Sequence, residues 1–322
     1  MRFFERDKCY YGYYYQRRNY RYLYQFLAGF SIVGAFVYLL TCIFLYFGRD
    51  YLIDKVDQNI PAASYNNDEF QLDYQKVWMN VPDSKTPIQG WWFDAPSAKQ
   101  PVIALPDEPT NILTTPTTIL YLCGSDSKTH YNSLVTIQAL QQLGFSVLKI
   151  PYRGYDPNQG GLPNESRLYQ DSQAAWDYLI TQRQIKPQNI VIYGESLGGA
   201  IAIDLAVKQN AGAGIIVQSS FTSIAAQIKQ LRPALRLFPL EFILGNPFNS
   251  IDKVRSLSIP VLFLHGTEDT TVDYKMSRQL YYAAPEPKEL FYIPGAEHLQ
   301  LYQPEHSYLK AIQEFMTIVK QH

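Results

Sequence analysis

Hydrophobic positions divide the chain into two regimes. Residues 26–47, FLAGFSIVGAFVYLLTCIFLYF, are 22 positions without a charge, and a helix of that length spans ~33 Å, enough to cross a bilayer core. From about residue 68 the apolar runs are short. TTILYLC, FSVLKI, NIVIY, AGIIVQSS, IPVLFLHG and KELFYIPG are rich in β-branched and aromatic residues and read as buried strands. Between them HYNSLVTIQALQQLG, ESRLYQDSQAAWDYLITQ and LGGAIAIDLA place apolar residues at helical spacing. FQLDYQKVWM and TPIQGWWFDA read as an antiparallel opening pair, and the Pro-rich residues 101–116 as a loop. Strand and helix in alternation predict an α/β domain, a mostly parallel central sheet flanked by helices, with functional residues at the carboxyl ends of the strands.

The flanks of the uncharged run set its reading. No small-x-small cleavage site follows it in YFGRDYLID, so it reads as an uncleaved signal anchor. Arg2, Arg6, Lys8, Arg17, Arg18 and Arg21 precede it, whereas residues 48–63 hold only Arg49 and Lys55. Positive charge stays in the cytoplasm, so the expected topology is a single-pass membrane protein with a cytoplasmic N-terminus and the α/β domain extracytoplasmic, periplasmic in a Gram-negative cell. The expected organisation is a Tyr/Arg-rich tail at 1–25, the span at 26–47, a linker at 48–67 and a domain at 68–322. The tail's tyrosines and arginines suit the membrane interface. A net charge of −1 over 322 residues gives no basis for a nucleic-acid partner. Cys9, Cys42 and Cys123 are too far apart for a disulfide framework or a zinc site, and the reading includes no metal and no cofactor.

The chemistry begins in NIVIYGESLGG, where Ser196 stands between Gly194 and Gly198 at a strand-to-helix turn. Glycines lack the Cβ atoms that would clash in so sharp a turn. The bland alternative makes Ser196 a helix N-cap. The functional reading is a nucleophile elbow, which requires an acid and then a histidine, each after a strand. Asp269 follows IPVLFLHG and His298 follows KELFYIPG, in that order. His130, His265, His306 and His322 fit the last-strand loop less well. A serine hydroxyl needs an imidazole to take its proton, and the imidazole needs a carboxylate to fix its tautomer. The oxyanion of an acyl-transfer intermediate needs donors, expected from the backbone N–H of Leu197 and of Ser125, the latter in the turn after TTILYLC.

From about residue 70 onward the chain resembles the membrane-anchored α/β-hydrolase-domain serine hydrolases, the Bem46-like group. YLCGSDSKTH, PYRGYDPNQGGLPNE, LYQDSQAAWDYL, IVIYGESLGGAIAIDLA, SSFTSI, IPVLFLHGTEDTTV and GAEH carry the resemblance, in that order. It implies an α/β-hydrolase fold, a triad of Ser196, Asp269 and His298, and an oxyanion turn at 123–125. The group usually has His-Gly-Asn where Cys123, Gly124 and Ser125 stand, and Asp156 and Pro157 depart from its usual loop. In this fold the segment after the SSFTSI strand often forms a lid, here about 224–245, apolar and carrying Lys229, Arg232 and Arg236. The expectation is a membrane-tethered serine hydrolase acting on an ester or thioester of an acyl or lipid-like substrate. A peptidase on the same triad and a non-catalytic binding module at the membrane remain open alternatives.

Overall fold

The computed structural model describes residues 4–49, 72–82, 84, 87–96, 117–124, 130–154, 164–298, 301–302 and 307–322, those of 4–21 and 130–132 by backbone alone. The chain divides into two compact units, residues 1–52 and 53–322. Among the described residues the first holds one helix, α1 (Phe4–Phe47), so the helix starts well before the uncharged run and takes in most of the tail. Its stretch Tyr22–Phe47 is long and apolar enough to cross a membrane, and almost none of that surface is buried. Within it Ser31 and Thr41 donate their hydroxyls to the carbonyls of Leu27 and Val37, at 2.8 and 2.9 Å. Such back-bonding suits a segment without water around it. The linker from residue 50 on and the Pro-rich segment at 101–116 lie outside the described residues.

In the second unit eight strands make one sheet in the order β1-β2-β4-β3-β5-β6-β7-β8. They are β1 (Gln75–Met79), β2 (Ile88–Phe93), β3 (Thr118–Leu122), β4 (Ser146–Ile150), β5 (Ile190–Glu195), β6 (Gly214–Gln218), β7 (Val261–Gly266) and β8 (Lys288–Ile293). β1, β2 and β4 pair antiparallel, and all strands from β4 to β8 pair parallel. The expected opening pair is therefore present, with Val77 opposite Gly90. β3, β5, β6 and β7 are buried along their whole length, as helices on both faces demand, which is why they read as continuous apolar runs.

Among the described residues of this unit the α-helices are α2 (His130–Gln142), α3 (Glu165–Thr181), α4 (Leu197–Gln209), α5 (Ile224–Leu231), α6 (Leu240–Leu244), α7 (Ser250–Lys253), α8 (Lys275–Ala283) and α9 (Ser307–Gln321). Local chemistry fixes their ends. Asn164 caps α3 by accepting the Arg167 N–H, and α4 stops where Asn210 turns left-handed at φ 48°. The apolar face of α9 delivers Tyr308, Ile312 and Phe315 to a core shared with Ile119, Val191 and Leu262. β4 lies on one side of β3 and β5 on the other, so the direction of winding reverses between β3 and β5. The crevice above the carboxyl ends of those two strands is where an open α/β sheet binds its ligand.

Candidate active site

β5 runs straight into α4, and Ser196 makes the turn with φ 54° and ψ −116°, a strained backbone for any residue with a Cβ. Such a conformation costs of order 1–3 kcal/mol and persists only where its surroundings hold it. Here they do. A Cβ on Gly194 would lie 2.2 Å from the Gly198 carbonyl oxygen, and one on Gly198 would lie 2.0 Å from that of Leu122, so strand, turn and helix touch backbone to backbone. The Ser196 N–H donates to the Gln218 carbonyl at 2.8 Å, and its own carbonyl accepts the Ser220 hydroxyl at 2.8 Å. The Ser196 hydroxyl makes no capping bond to α4. It faces the Nε2 of His298, 3.1 Å away, which disfavours the bland alternative of a plain N-cap.

The acid and the histidine come from two loops stitched together. At the end of β7 a Cβ on Gly266 would lie 2.2 Å from the Ala296 carbonyl oxygen, so the loop after β8 crosses directly over it. Thr267 and Glu268 donate their N–H groups to the carbonyls of Ile293 and Ala296 at 3.1 and 3.0 Å, and Gly295 N–H donates to the Thr267 hydroxyl at 2.9 Å. This leaves Glu268 exposed and turns Asp269 inward. Asp269 Oδ1 accepts the N–H groups of Thr271 and Val272, both at 2.8 Å. Its Oδ2 accepts from His298 Nδ1 at 2.7 Å. The structure thus brings Ser196, His298 and Asp269 into one hydrogen-bonded chain.

A second histidine joins that carboxylate. His265, the penultimate residue of β7, places its Nε2 at 2.9 Å from Asp269 Oδ2. Burial by itself raises the Asp269 carboxyl, but the hydrogen bonds from His265 and His298 outweigh it and hold the acid well below the usual carboxylate range. From the sequence, His265 only fits the last-strand loop less well than His298, and nothing there assigns it a partner. The available signal was its place four residues before Asp269, with a tight turn between.

The turn after β3 abuts the elbow, since a Cβ on Gly124 would lie 3.3 Å from that of Ser196. Ser125, the expected second oxyanion donor, lies outside the described residues, as do Asp156 and Pro157. The other expected donor, the Leu197 N–H, opens α4 directly after Ser196, where a helix N-terminus favours negative charge. Cys123 donates its thiol to the Ile150 carbonyl at 3.4 Å, and burial pushes that thiol up to about 11, so it stays protonated and is no rival nucleophile. Glu195, beside the serine, is buried and accepts from the Tyr121 hydroxyl at 2.6 Å, another polar contact that the sequence pattern hid. Among the described residues no group of three or more His, Cys, Asp or Glu side chains could hold a metal ion.

A model of the prolyl oligopeptidase family matches residues 129–322. The chain belongs to that family. An uncharacterized protein of Mycobacterium tuberculosis is 40% identical over 160 residues, 50% of this chain and 55% of that protein. Human α/β-hydrolase domain-containing protein 17B is 32% identical over 180 residues, 55% of this chain and 58% of that protein. The chain spans about half the length of the curated relatives it matches. An esterase of Pyrococcus furiosus superposes with a TM-score of 0.60 at 18% identity, covering 80% of this chain and 95% of that one. An α/β hydrolase of Vibrio vulnificus does so at 0.60 and 20%, covering 86% and 93%. This prolyl oligopeptidase family member has the α/β-hydrolase fold.

In this member of the prolyl oligopeptidase family the segment after β6 folds as α5, a short 3-10 turn and α6. Ser223 caps α5 by accepting the Ala226 N–H at 3.1 Å. Two glutamines latch α5 to the acid loop: Gln227 Nε2 donates to the Thr271 carbonyl at 2.6 Å, and Gln230 Oε1 accepts the Asp273 N–H at 3.1 Å. Lys229 is held between both carboxylate oxygens of Glu241 at 2.7 and 2.8 Å, joining α5 to α6. The segment exposes Leu237 and Phe242, at 77% and 86% of their full surface.

Proposed function

We propose that the chain is a membrane-tethered serine hydrolase that cleaves an ester or thioester of an acyl or lipid-like substrate through an acyl-enzyme. The observation that carries this reading is the hydrogen-bonded chain from Ser196 Oγ through His298, at 3.1 Å, to Asp269, at 2.7 Å, starting at a strained elbow. His298 donates Nδ1–H to the carboxylate, which leaves the Nε2 lone pair to accept the Ser196 hydroxyl. As Oγ attacks the substrate carbonyl carbon, its proton passes to Nε2, and Asp269 stabilises the imidazolium so formed. The carbonyl oxygen becomes an oxyanion, for which the Leu197 N–H and one from the turn after β3, Ser125 in our reading, are the donors. His298 then gives the proton to the departing alcohol or thiol. Water, deprotonated by the same nitrogen, attacks the acyl-Ser196 carbonyl and frees the acid and the serine.

The acyl reading is supported by Leu237 and Phe242, two large apolar side chains on a segment latched to the acid loop, and by the apolar stretch Tyr22–Phe47. The charge asymmetry around that stretch supports an N-terminus in the cytoplasm and a hydrolase unit on the far side. A peptidase on the same three residues is the second reading, favoured by the family match.

The test is turnover of short and long acyl esters, an acyl-thioester, a lysophospholipid and an aminopeptidase substrate, beside covalent labelling with a fluorophosphonate. Ser196→Ala is expected to abolish labelling and turnover while remaining folded. Hydrolysis of the amide above the esters would replace the esterase reading with the peptidase one, and labelling that persists in Ser196→Ala would remove Ser196 as nucleophile. A periplasmic or luminal reporter fused after His322 is expected to be active, and activity only of a cytoplasmic reporter would reverse the topology.

A further inference from the structure

We propose that His265 is a positioning residue for the reaction, a fixed hydrogen-bond donor that holds the Asp269 carboxylate in the one orientation His298 can use. The proposal rests on the reading of Ser196, His298 and Asp269 given above. His265 is fully buried, and its Nε2 lies between two acceptors, Asp269 Oδ2 at 2.9 Å and the Val272 carbonyl at 3.0 Å. Neither oxygen carries a hydrogen, so the ring's proton sits on Nε2. Its Nδ1 lies 2.6 Å from the hydroxyl of Ser277, itself buried on α8, which donates to it and fixes the tautomer. Both ring nitrogens are thereby committed away from Ser196. His265 acts on the serine only through Asp269.

What it supplies follows from the geometry of the carboxylate. The Thr271 and Val272 N–H groups hold Oδ1, while Oδ2 takes two imidazole donors, His298 at 2.7 Å and His265 at 2.9 Å. With His265 absent, Oδ2 keeps a single side-chain donor, the one whose ring must change charge during every turnover. The carboxylate is then free to rotate, and the imidazole that should be oriented by the acid becomes the group that orients it. Held from the far side, Asp269 is a rigid reference for His298.

The test is a double-mutant cycle on the full-length protein with a short acyl ester as substrate. His265→Gln puts an amide N–H where Nε2 was, His265→Asn puts it at the place of Nδ1, and His265→Phe keeps the ring's shape without a donor. We expect His265→Phe and His265→Asn to lower kcat by about thirtyfold or more with KM within about threefold, and His265→Gln to stay within about fivefold of wild type. In an Asp269→Asn background the same changes are expected to cost no more than about threefold, because the group they act through is gone. The far-downfield proton resonance of the His298–Asp269 bond is expected to shift in His265→Phe and to stay in His265→Gln. Costs that multiply with Asp269→Asn, or Gln and Asn variants that are alike, would overturn the proposal and leave His265 a core-filling residue. Should His265→Phe melt too low to assay, the Gln–Asn contrast decides alone. If Asp269→Asn itself keeps the wild-type rate, it is the triad reading that fails.

Discussion

Ser196 and Asp269 are both buried and both fixed, yet by different means. The serine is held by backbone: a left-handed φ of 54°, and glycines at 194 and 198 whose missing side chains let strand, turn and helix meet at contact distance. The aspartate is held by donors, two backbone N–H groups on one oxygen and two imidazoles on the other. The difference separates what positions a nucleophile from what positions an acid. A nucleophile's hydroxyl must stay clear of partners other than its base so that it reaches substrate, so its positioning falls mainly to the backbone. An acid that never touches substrate can be saturated with hydrogen bonds.

The comparison breaks most severely at Gly198. A methyl group there meets the Leu122 carbonyl oxygen at 2.0 Å and that of Cys123 at 2.6 Å, and backbone does not yield as a side-chain tip would. Gly198→Ala is expected to cost more than about 4 kcal/mol of stability, read as loss of a cooperative thermal transition. A variant that melts like wild type would show that the elbow has room the geometry denies. Next in size is His298→Ala, which leaves the elbow intact and removes the base. With the fold retained, kcat is expected to fall by about four orders of magnitude, the remainder coming from the oxyanion donors and binding.

The contrast between the two supports also explains what could be read from the chain. Steric support leaves a mark in sequence, because only glycine fits at 194 and 198, and the apolar run before them marks β5 as buried. Asp269 and His298 were legible through position, each just past a strand. Hydrogen-bond support leaves no such mark. His265 sits inside the apolar run of β7 with the pattern of a core residue, and only the tight turn through Gly266 brings Asp269 back onto its ring. The Lys229–Glu241 pair leaves no mark for the same reason: Glu241 lies twelve residues on, across a turn that the periodicity of α5 does not announce. The mostly parallel sheet, by contrast, was legible from the alternation of buried runs with helical segments.

A finer cut compares neighbours in the acid loop. Asp269→Asn keeps the shape but lets His298 take the wrong tautomer, and kcat is expected to fall at least about a hundredfold. Glu268 is exposed, pinned outward by its own N–H bond to Ala296, so Glu268→Gln is expected to stay within about tenfold of wild type. Reversal of that ranking would move the acid one residue back along the loop.

The smallest expected effect reads the donors around Asp269 through stability. In the unfolded chain an aspartate titrates near about 4, whereas in the folded protein His265 and His298 overcome the opposing effect of burial and keep it ionised to lower pH. A group whose folded value is depressed contributes stability that is fully present above the unfolded value and lost as pH falls through the interval below it. Wild type is therefore expected to be more stable than Asp269→Asn by a few °C in melting temperature at pH 6, with the gap closing as pH falls below about 4. His265→Gln, which returns a donor to Oδ2, is expected to keep most of the gap, and His265→Phe to lose part of it. Melting curves of the four proteins between pH 6 and pH 3 check this, and a gap that stays constant with pH would mean that the carboxylate's donors hold its position without holding its charge.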